Sequence, residues 1–106
     1  MSRLDQLFDF LKQEPDDAFT LYAIATEYLK TDTAQALAYY EKLLAGHPGY
    51  VPTYYHAAKL HAELGSHAEA ERTFRKGLEV SLAANNRHAH RELQAAHQQF
   101  LDELEE

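Results

Sequence analysis

Histidine is the side chain in this sequence with the widest capacity for chemistry, since seven histidines occur among 106 residues. Imidazole binds metal ions and exchanges protons near neutral pH. His90, Gln94 and His97 share one face of a predicted helix, and His88 lies close to them in the sequence. No HExxH motif or carboxylate at metal-ligand spacing accompanies them. We therefore interpret them as solvated or rim histidines and predict no metal site, with a small histidine-metal enzyme as a remote alternative.

Other catalytic motifs are missing from the sequence. The chain has no cysteine, which excludes disulfides, thiolate zinc sites and thiol nucleophiles. Ser2, Ser66 and Ser81 lack the glycine-rich elbow of a nucleophilic serine, and neither GxxxxGK nor GxGxxG occurs. The sequence therefore predicts a protein that is not an enzyme and has no cofactor.

The charge balance limits the classes of partner. Seventeen Asp and Glu residues outnumber ten Lys and Arg residues, which gives a formal net charge of −7. Phosphate backbones and anionic membranes repel such a surface. No apolar run approaches the about 20 residues of a membrane span, and the N-terminus does not have the pattern of a signal peptide. We expect a cytoplasmic protein without nucleic-acid or membrane partners.

The positions of any functional side chains must be set by helices. Apolar residues recur at spacings of three and four, and the few glycines and prolines fall mostly between these stretches. We predict about six helices in antiparallel pairs. The first extends from Ser2 to Pro15, the second covers residues 17–30, the third ends at the segment 46–49, and the others cover residues 52–64, 67–84 and 87–104.

Capping signals mark several of the predicted helix boundaries. Ser2 with Asp5, and Ser66 with Glu69, fit the capping-box pattern in which two orphan backbone donors are satisfied reciprocally. The pair Asn85-Asn86 suits the end of one helix and the N-cap of the next. We therefore expect two capping boxes and one asparagine cap.

The chain repeats itself with a period of 34 residues. Ala36 superposes on Ala70 and Tyr40 on Phe74. Upstream, the offset is 33, because the first copy has one residue fewer in its turn at residues 31–33. A fixed period in this range indicates stacked structural repeats. The positions paired at the shorter offset are Leu21 with Tyr54, Ile24 with Ala57, Ala25 with Ala58, and Tyr28 with His61.

This order of aromatic, small and turn residues resembles the tetratricopeptide repeat family, and the resemblance covers residues 17–82. The second copy fits better because it includes the turn glycine, Gly65. The first copy lacks that glycine but ends in the family's proline, Pro48. The second copy matches at Tyr54, Ala57, Ala58, His61, Gly65, Ala70 and Phe74, and the first at Leu21, Ile24, Ala25, Tyr28, Ala36 and Tyr40.

The resemblance implies an all-α helical repeat and a single domain over residues 1–106. Its expected parts are an N-terminal capping helix (1–15), repeat 1 (17–48), repeat 2 (51–84) and a C-terminal solvating helix (86–106). An ordinary helical bundle is the alternative. We further expect His61 to be a partly buried packing residue. A neighbouring helix should press against Gly77, because glycine inside a helix costs about 1 kcal/mol relative to alanine.

The resemblance also implies a binding surface, since the first helix of each repeat lines the concave face in this family. Tyr22 and Thr26 stand four residues apart, as do Tyr55 and Lys59, so each pair shares a helix face. We predict that this face binds a peptide or helical segment of a partner protein. The predicted residues are Phe19, Tyr22, Thr26 and Lys30 in repeat 1 and Tyr55, His56, Lys59 and Glu63 in repeat 2, with Leu29, Pro52 and Ala62 at neighbouring positions of the same face.

The chain lacks the residues with which some family members bind a partner's C-terminal carboxylate, and this difference indicates what kind of partner to expect. Some members hold a C-terminal carboxylate with Lys, Asn and Arg, but Tyr22, Thr26 and His56 stand where such residues would be expected. A partner segment with apolar and basic side chains fits the acidic chain better. Self-association into a homodimer through the last helix or the tyrosine face is the alternative function.

Overall fold

A computed structural model describes all residues from Met1 to Glu106, and its regular structure consists of six α-helices. This confirms the predicted all-α class. The chain divides into two compact units, an N-terminal unit (Met1–Tyr50) and a C-terminal unit (Val51–Glu106); the single domain expected from the sequence stays a prediction. No helix combines the length and the apolar character needed to cross a bilayer. The helices are α1 (Arg3–Gln13), α2 (Ala18–Tyr28), α3 (Thr33–Gly46), α4 (Pro52–Glu63), α5 (His67–Ala83) and α6 (Arg87–Leu104).

One of the two predicted capping boxes forms. The Ser2 hydroxyl accepts the Asp5 N–H at 3.1 Å, and the Asp5 carboxylate accepts the Ser2 N–H at 3.2 Å. The box predicted at Ser66 is wrong, because Ser66 makes no side-chain capping bond. Its N–H instead donates to the His61 carbonyl at 2.9 Å, and the Glu69 carboxylate pairs with Arg72. The end of α4 therefore takes the backbone donor that the box would need.

The boundary between α5 and α6 follows the sequence prediction. Asn85 adopts a left-handed conformation with φ 56°, which asparagine tolerates better than most residues. The next residue, Asn86, donates its N–H to the Ser81 carbonyl at 2.9 Å and accepts the Ala89 N–H on its side chain at 3.1 Å. Two adjacent asparagines thus end one helix and cap the other.

The N-terminal unit is built around the pairing of α2 with α3. Ala25 and Ala36 are fully buried, and their small size lets the two helices approach closely. Tyr40 is also fully buried, and its hydroxyl lies 3.0 Å from the Thr26 hydroxyl. Helix α1 packs against α2, and its Leu7 is buried. Its Phe8 ring contacts Tyr28 of α2 and Tyr39 of α3.

The C-terminal unit is a three-helix arrangement in which α6 packs against both α4 and α5. His61 is buried, which confirms its assignment as a packing residue. Because the unit has no sheet and few large aliphatic residues, aromatic rings and alanines supply most of its interior. The principal buried residues are Tyr54, Ala57, Ala58, Ala70, Phe74, Leu93 and Phe100.

Gly77 marks the point where the three helices of this unit meet. A Cβ added to Gly77 would lie 2.6 Å from Tyr54 Cβ and 3.2 Å from Leu93 Cδ1. Tyr54 belongs to α4 and Leu93 to α6, so neighbouring helices contact α5 at a place where no side chain fits. The expectation that a helix presses against Gly77 is confirmed.

We predict that Gly77→Ala lowers the free energy of unfolding by up to about 2 kcal/mol. The overpacking cost of about 1–3 kcal/mol outweighs the gain in helix propensity of about 1 kcal/mol, because Tyr54 Cβ is fixed to its backbone and cannot rotate away. Urea unfolding followed by circular dichroism measures the change. Gly46→Ala is the matched control, since its nearest neighbour is Asp16 Oδ1 at 4.0 Å, and it should be neutral or stabilising. A Gly77→Ala variant as stable as the parent would contradict the close-contact interpretation.

Burial of Tyr40 generates a second prediction, on alkaline stability. Burial raises the pKa of Tyr40 from 10.0 to about 12, even though the Thr26 hydrogen bond acts in the opposite direction. A raised folded-state pKa means that the stability contributed by neutral Tyr40 is present below pH 10.0 and is lost as the pH rises towards about 12. Tyr40→Phe should cost about 1 kcal/mol at neutral pH through the lost hydrogen bond.

The same variant should lose less stability than the parent between neutral and alkaline pH, because the group that titrates has been removed. Urea unfolding of both proteins at neutral pH and at several values above pH 10.0 measures this difference of differences. The remaining tyrosines titrate in both proteins and cancel. Equal alkaline losses in the two proteins would show that Tyr40 ionisation does not govern the transition.

Candidate functional site

The C-terminal unit contains an open groove of about 580 Å³ between α4 and α6, with α5 at its base. All of its lining residues belong to this unit. Helix α4 and helix α6 form the two walls, and two phenylalanines form the floor. The lining residues are Tyr55, Lys59, Ala62, Glu63, His67, Phe74, Glu92, Ala95, Ala96, Gln99, Phe100, Glu103 and Leu104.

The sequence produces this groove by placing small residues on the facing walls. On α4 the lining positions are spaced by four, three and one residues, and on α6 they are spaced alternately by three and one, so each set follows one helix face. Ala62, Ala95 and Ala96 lie at the middle of these faces. Because a methyl group extends little from the backbone, the space between the walls stays open.

The floor of the groove is an aromatic cluster. Phe74 and Phe100 lie with ring centroids 5.5 Å apart, and the His67 ring lies 6.0 Å from Phe100. Phe74 and Phe100 are almost completely buried, so they belong to the core as well as lining the groove. The groove therefore has a rigid apolar base.

His97 supports this floor from behind. Its ring lies 5.3 Å from that of Phe74, and its Nε2 lies 2.8 Å from a Glu71 carboxylate oxygen. A hydrogen bond from Arg75, followed by one from His97, lowers the pKa of Glu71 against the opposing effect of partial burial. The prediction that His97 is a solvated residue is wrong, because it follows Leu93 by one helical turn and shares its inward face.

The other predicted rim histidines make separate contacts. His90 Nδ1 lies 3.1 Å from the buried Ser81 hydroxyl and 3.2 Å from the Leu78 carbonyl. His88 is exposed and lies 3.3 Å from Glu92. The structure brings together no group of three or more His, Asp or Glu side chains that could hold a metal ion.

Three of the four residues predicted in repeat 2, Tyr55, Lys59 and Glu63, line the groove. The Lys59 ammonium lies 5.1 Å from the centre of the Tyr55 ring and 3.5 Å from its hydroxyl, as in a cation–π pair. The fourth, His56, contacts Tyr55 edge-on at 5.4 Å but does not line the groove. Burial and then the Lys59 charge lower the pKa of His56, although Glu92 opposes them.

The four residues predicted in repeat 1 lie in the N-terminal unit. Phe19 is 62% exposed, and Lys30 pairs with Glu27 at 3.1 Å. Tyr22 is half-buried and contacts the rings of Tyr40 and Tyr50 at 6.2 and 5.7 Å, while the Thr26 hydroxyl bonds to that of Tyr40. Three of the four, Tyr22, Thr26 and Lys30, thus have contacts inside their own unit, and a binding role for this set stays a prediction.

The wall contributed by α6 and the aromatic floor were not predicted from the sequence. The sequence predicted that α6 is a solvating helix, whereas α6 supplies most of the groove residues. One signal could have identified the wall: α6 begins at Arg87, 35 residues after α4 begins at Pro52, which is close to the repeat period. Helix α6 therefore takes the place of the first helix of a third repeat.

Comparison with known proteins supplies the family. The sequence model of the tetratricopeptide repeat matches residues 28–99, which includes most of α6. The crystal structure of a tetratricopeptide repeat domain protein from Salinibacter ruber is 39% identical, covers 82% of this chain and 98% of that chain, and superposes with a TM-score of 0.78. No curated protein is significantly similar in sequence.

Two further solved structures share the fold at low sequence identity. A Bordetella parapertussis protein, solved in solution, is 19% identical over 97% of this chain and 90% of that chain, with a TM-score of 0.82. The crystal structure of MamA is 17% identical over 96% of this chain and 67% of that chain, with a TM-score of 0.65. At these identities the likeness concerns the fold alone.

Proposed function

Because the chain belongs to the tetratricopeptide repeat family, we propose that it is a non-catalytic adaptor whose α4–α6 groove binds a segment of a partner protein. Proteins of this family generally act in protein–protein interactions. The observation that carries the proposal is the groove itself, an apolar base between two helix faces with polar side chains along the edges. The partner segment would lie between the walls as a short helix or an extended strand.

The dimensions of the groove suit side chains of a polypeptide. Its volume of about 580 Å³ accommodates several apolar side chains, and ligand sites in proteins commonly measure about 300–1,000 Å³. Leu104 is 48% exposed at the edge of the groove, so an occupant would bury apolar surface that water now contacts. Tyr55 adds an aromatic ring with a polar tip, a combination common at interfaces.

The rigidity of the site supports binding at low entropic cost. Phe74 and Phe100 are locked in the core, and Tyr55 is held between its contacts with Lys59 and His56. A surface that is already ordered loses little conformational freedom when a partner binds. Ordering of the protein itself would therefore subtract little from the free energy gained by apolar burial.

We predict that filling the groove abolishes binding without unfolding the protein. The probes are three helical peptides with leucine on one face and lysine, glutamine or glutamate on the other. At least one should bind the parent protein and shift amide resonances around Phe74, Phe100 and Leu104 in a ¹⁵N NMR titration. In the double variant Ala62→Leu/Ala95→Leu, the affinity of that peptide should fall at least about tenfold, equivalent to about 1.4 kcal/mol.

Ala68→Leu is the matched control, since Ala68 is exposed and does not line the groove. It should leave peptide affinity unchanged. The proposal fails if none of the three peptides binds, or if both walls can be filled without loss of affinity. Light scattering on the same proteins tests self-association: a dimer that Ala62→Leu/Ala95→Leu converts to a monomer would assign the groove to a second copy of the chain instead.

A further inference from the structure

We propose that the segment bound in the α4–α6 groove is basic, with lysine or arginine side chains that pair with Glu63, Glu92 and Glu103. This inference rests on the proposed function and specifies the chemistry of the partner. The three carboxylates line the groove together with the apolar floor. In a leucine-rich basic segment, the leucines would contact the apolar floor of the groove and the basic side chains would pair with the carboxylates at its edges.

None of the three groove carboxylates is paired with a lysine or arginine of this chain. Glu63 forms no hydrogen bond or ion pair, and Glu103 accepts only the neutral Gln99 amide at 3.1 Å. Glu92 forms an ion pair only with His88, and its charge also acts on His56. His88 carries a charge only when it is protonated. The groove therefore presents carboxylate charge that the chain itself does not neutralise.

Helix α5 shows the contrast. Its three glutamates, Glu69, Glu71 and Glu79, are all paired with arginine or lysine one turn away. Their partners are Arg72, Arg75 and Lys76. Ion pairs at this spacing are the ordinary way in which helical glutamates are compensated. In this unit the carboxylates without a lysine or arginine partner are those of the groove and those near the C-terminal end, Asp102, Glu105 and Glu106.

Two basic side chains line the groove, Lys59 and His67, and neither forms an ion pair with the groove carboxylates. Lys59 is one turn from Glu63, yet its ammonium lies over the Tyr55 ring. His67 contacts Phe100. Among the lining residues, the three carboxylates thus outnumber the single ammonium group. An excess of negative charge around the groove favours a cationic occupant.

The spacing of the carboxylates fits a regular segment. Glu92 and Glu103 are eleven residues apart on α6, which is three helical turns and about 16 Å along the axis. Eleven residues also return to nearly the same helix face. A helical occupant aligned with α6 would place basic residues about three turns apart, with its leucines on the floor between them.

The test measures the affinities of the leucine-faced lysine, glutamine and glutamate peptides for the parent protein and for Glu63→Gln/Glu92→Gln/Glu103→Gln. We expect the lysine peptide to bind the parent most tightly, and its affinity to fall as salt is raised. The triple variant should weaken the binding of the lysine peptide about tenfold, because three exposed ion pairs are lost together. Its affinity for the glutamine peptide should not change.

The matched control is Asp9→Asn/Glu69→Gln/Glu79→Gln, which alters net charge equally through exposed carboxylates outside the groove. It should leave the affinity of the lysine peptide within about twofold of the parent. The charge-reversed variant Glu92→Lys/Glu103→Lys should prefer the glutamate peptide. Circular dichroism confirms that each variant is folded.

The outcomes separate the two proposals. If the glutamine peptide binds as tightly as the lysine peptide and the triple variant changes neither, the basic partner is excluded while the groove remains a binding site. If the control variant weakens the lysine peptide as much as the triple variant does, the attraction is to net charge and the inference is overturned. If none of the peptides binds the parent, the proposed function falls, and the inference with it.

Discussion

The close approach of three helices at Gly77 is the constraint on which the C-terminal unit depends. Tyr54 from α4 and Leu93 from α6 contact α5 where a methyl group would not fit. Because the contact fixes both neighbours to the same point on α5, it also fixes the distance between α4 and α6. That distance is the width of the groove. Packing inside the core and the geometry of the surface site therefore have one physical origin.

Large side chains fill the core of the C-terminal unit, whereas small side chains line the walls of the groove. Large rings, those of Tyr54, Phe74 and Phe100, fill the space between the helices and are almost completely buried. Alanines on the outward halves of α4 and α6 leave the groove open. Phe74 and Phe100 take part in both, since they lie in the core and form the floor. The site is consequently as rigid as the core beneath it.

Paired and unpaired carboxylates also lie on different parts of the C-terminal unit. On α5, glutamates are compensated by basic residues one turn away, which stabilises the helix slightly and leaves a nearly neutral surface. On the walls of the groove the carboxylates lack such partners. The mutual repulsion of those carboxylates is modest in water, so the fold tolerates it, and a cationic partner would relieve it.

Features that depend on neighbours along the chain or on the repeat were predictable from the sequence. Helix positions followed from apolar spacing and caps, and the family from the order of small and aromatic residues such as Ala36, Tyr40, Ala70 and Phe74. The pressure on Gly77 and the burial of His61 were also predictable, because each occupies a repeat slot whose neighbours are known. Tyr55, Lys59 and Glu63 could be assigned to one helix face for the same reason.

The contacts that α6 makes with α4 and α5 became evident only in the folded structure. Its sequence shows an amphipathic helix, but not which helices its inner face meets, since that depends on contacts far apart in the chain. Packing against α4 as well as α5 turned Glu92, Ala95 and Glu103 into a wall and placed the His97 ring against Phe74. The failed capping box at Ser66 has the same cause on a smaller scale: the end of α4 competed for one backbone donor, and the result depended on how that helix closed rather than on the motif.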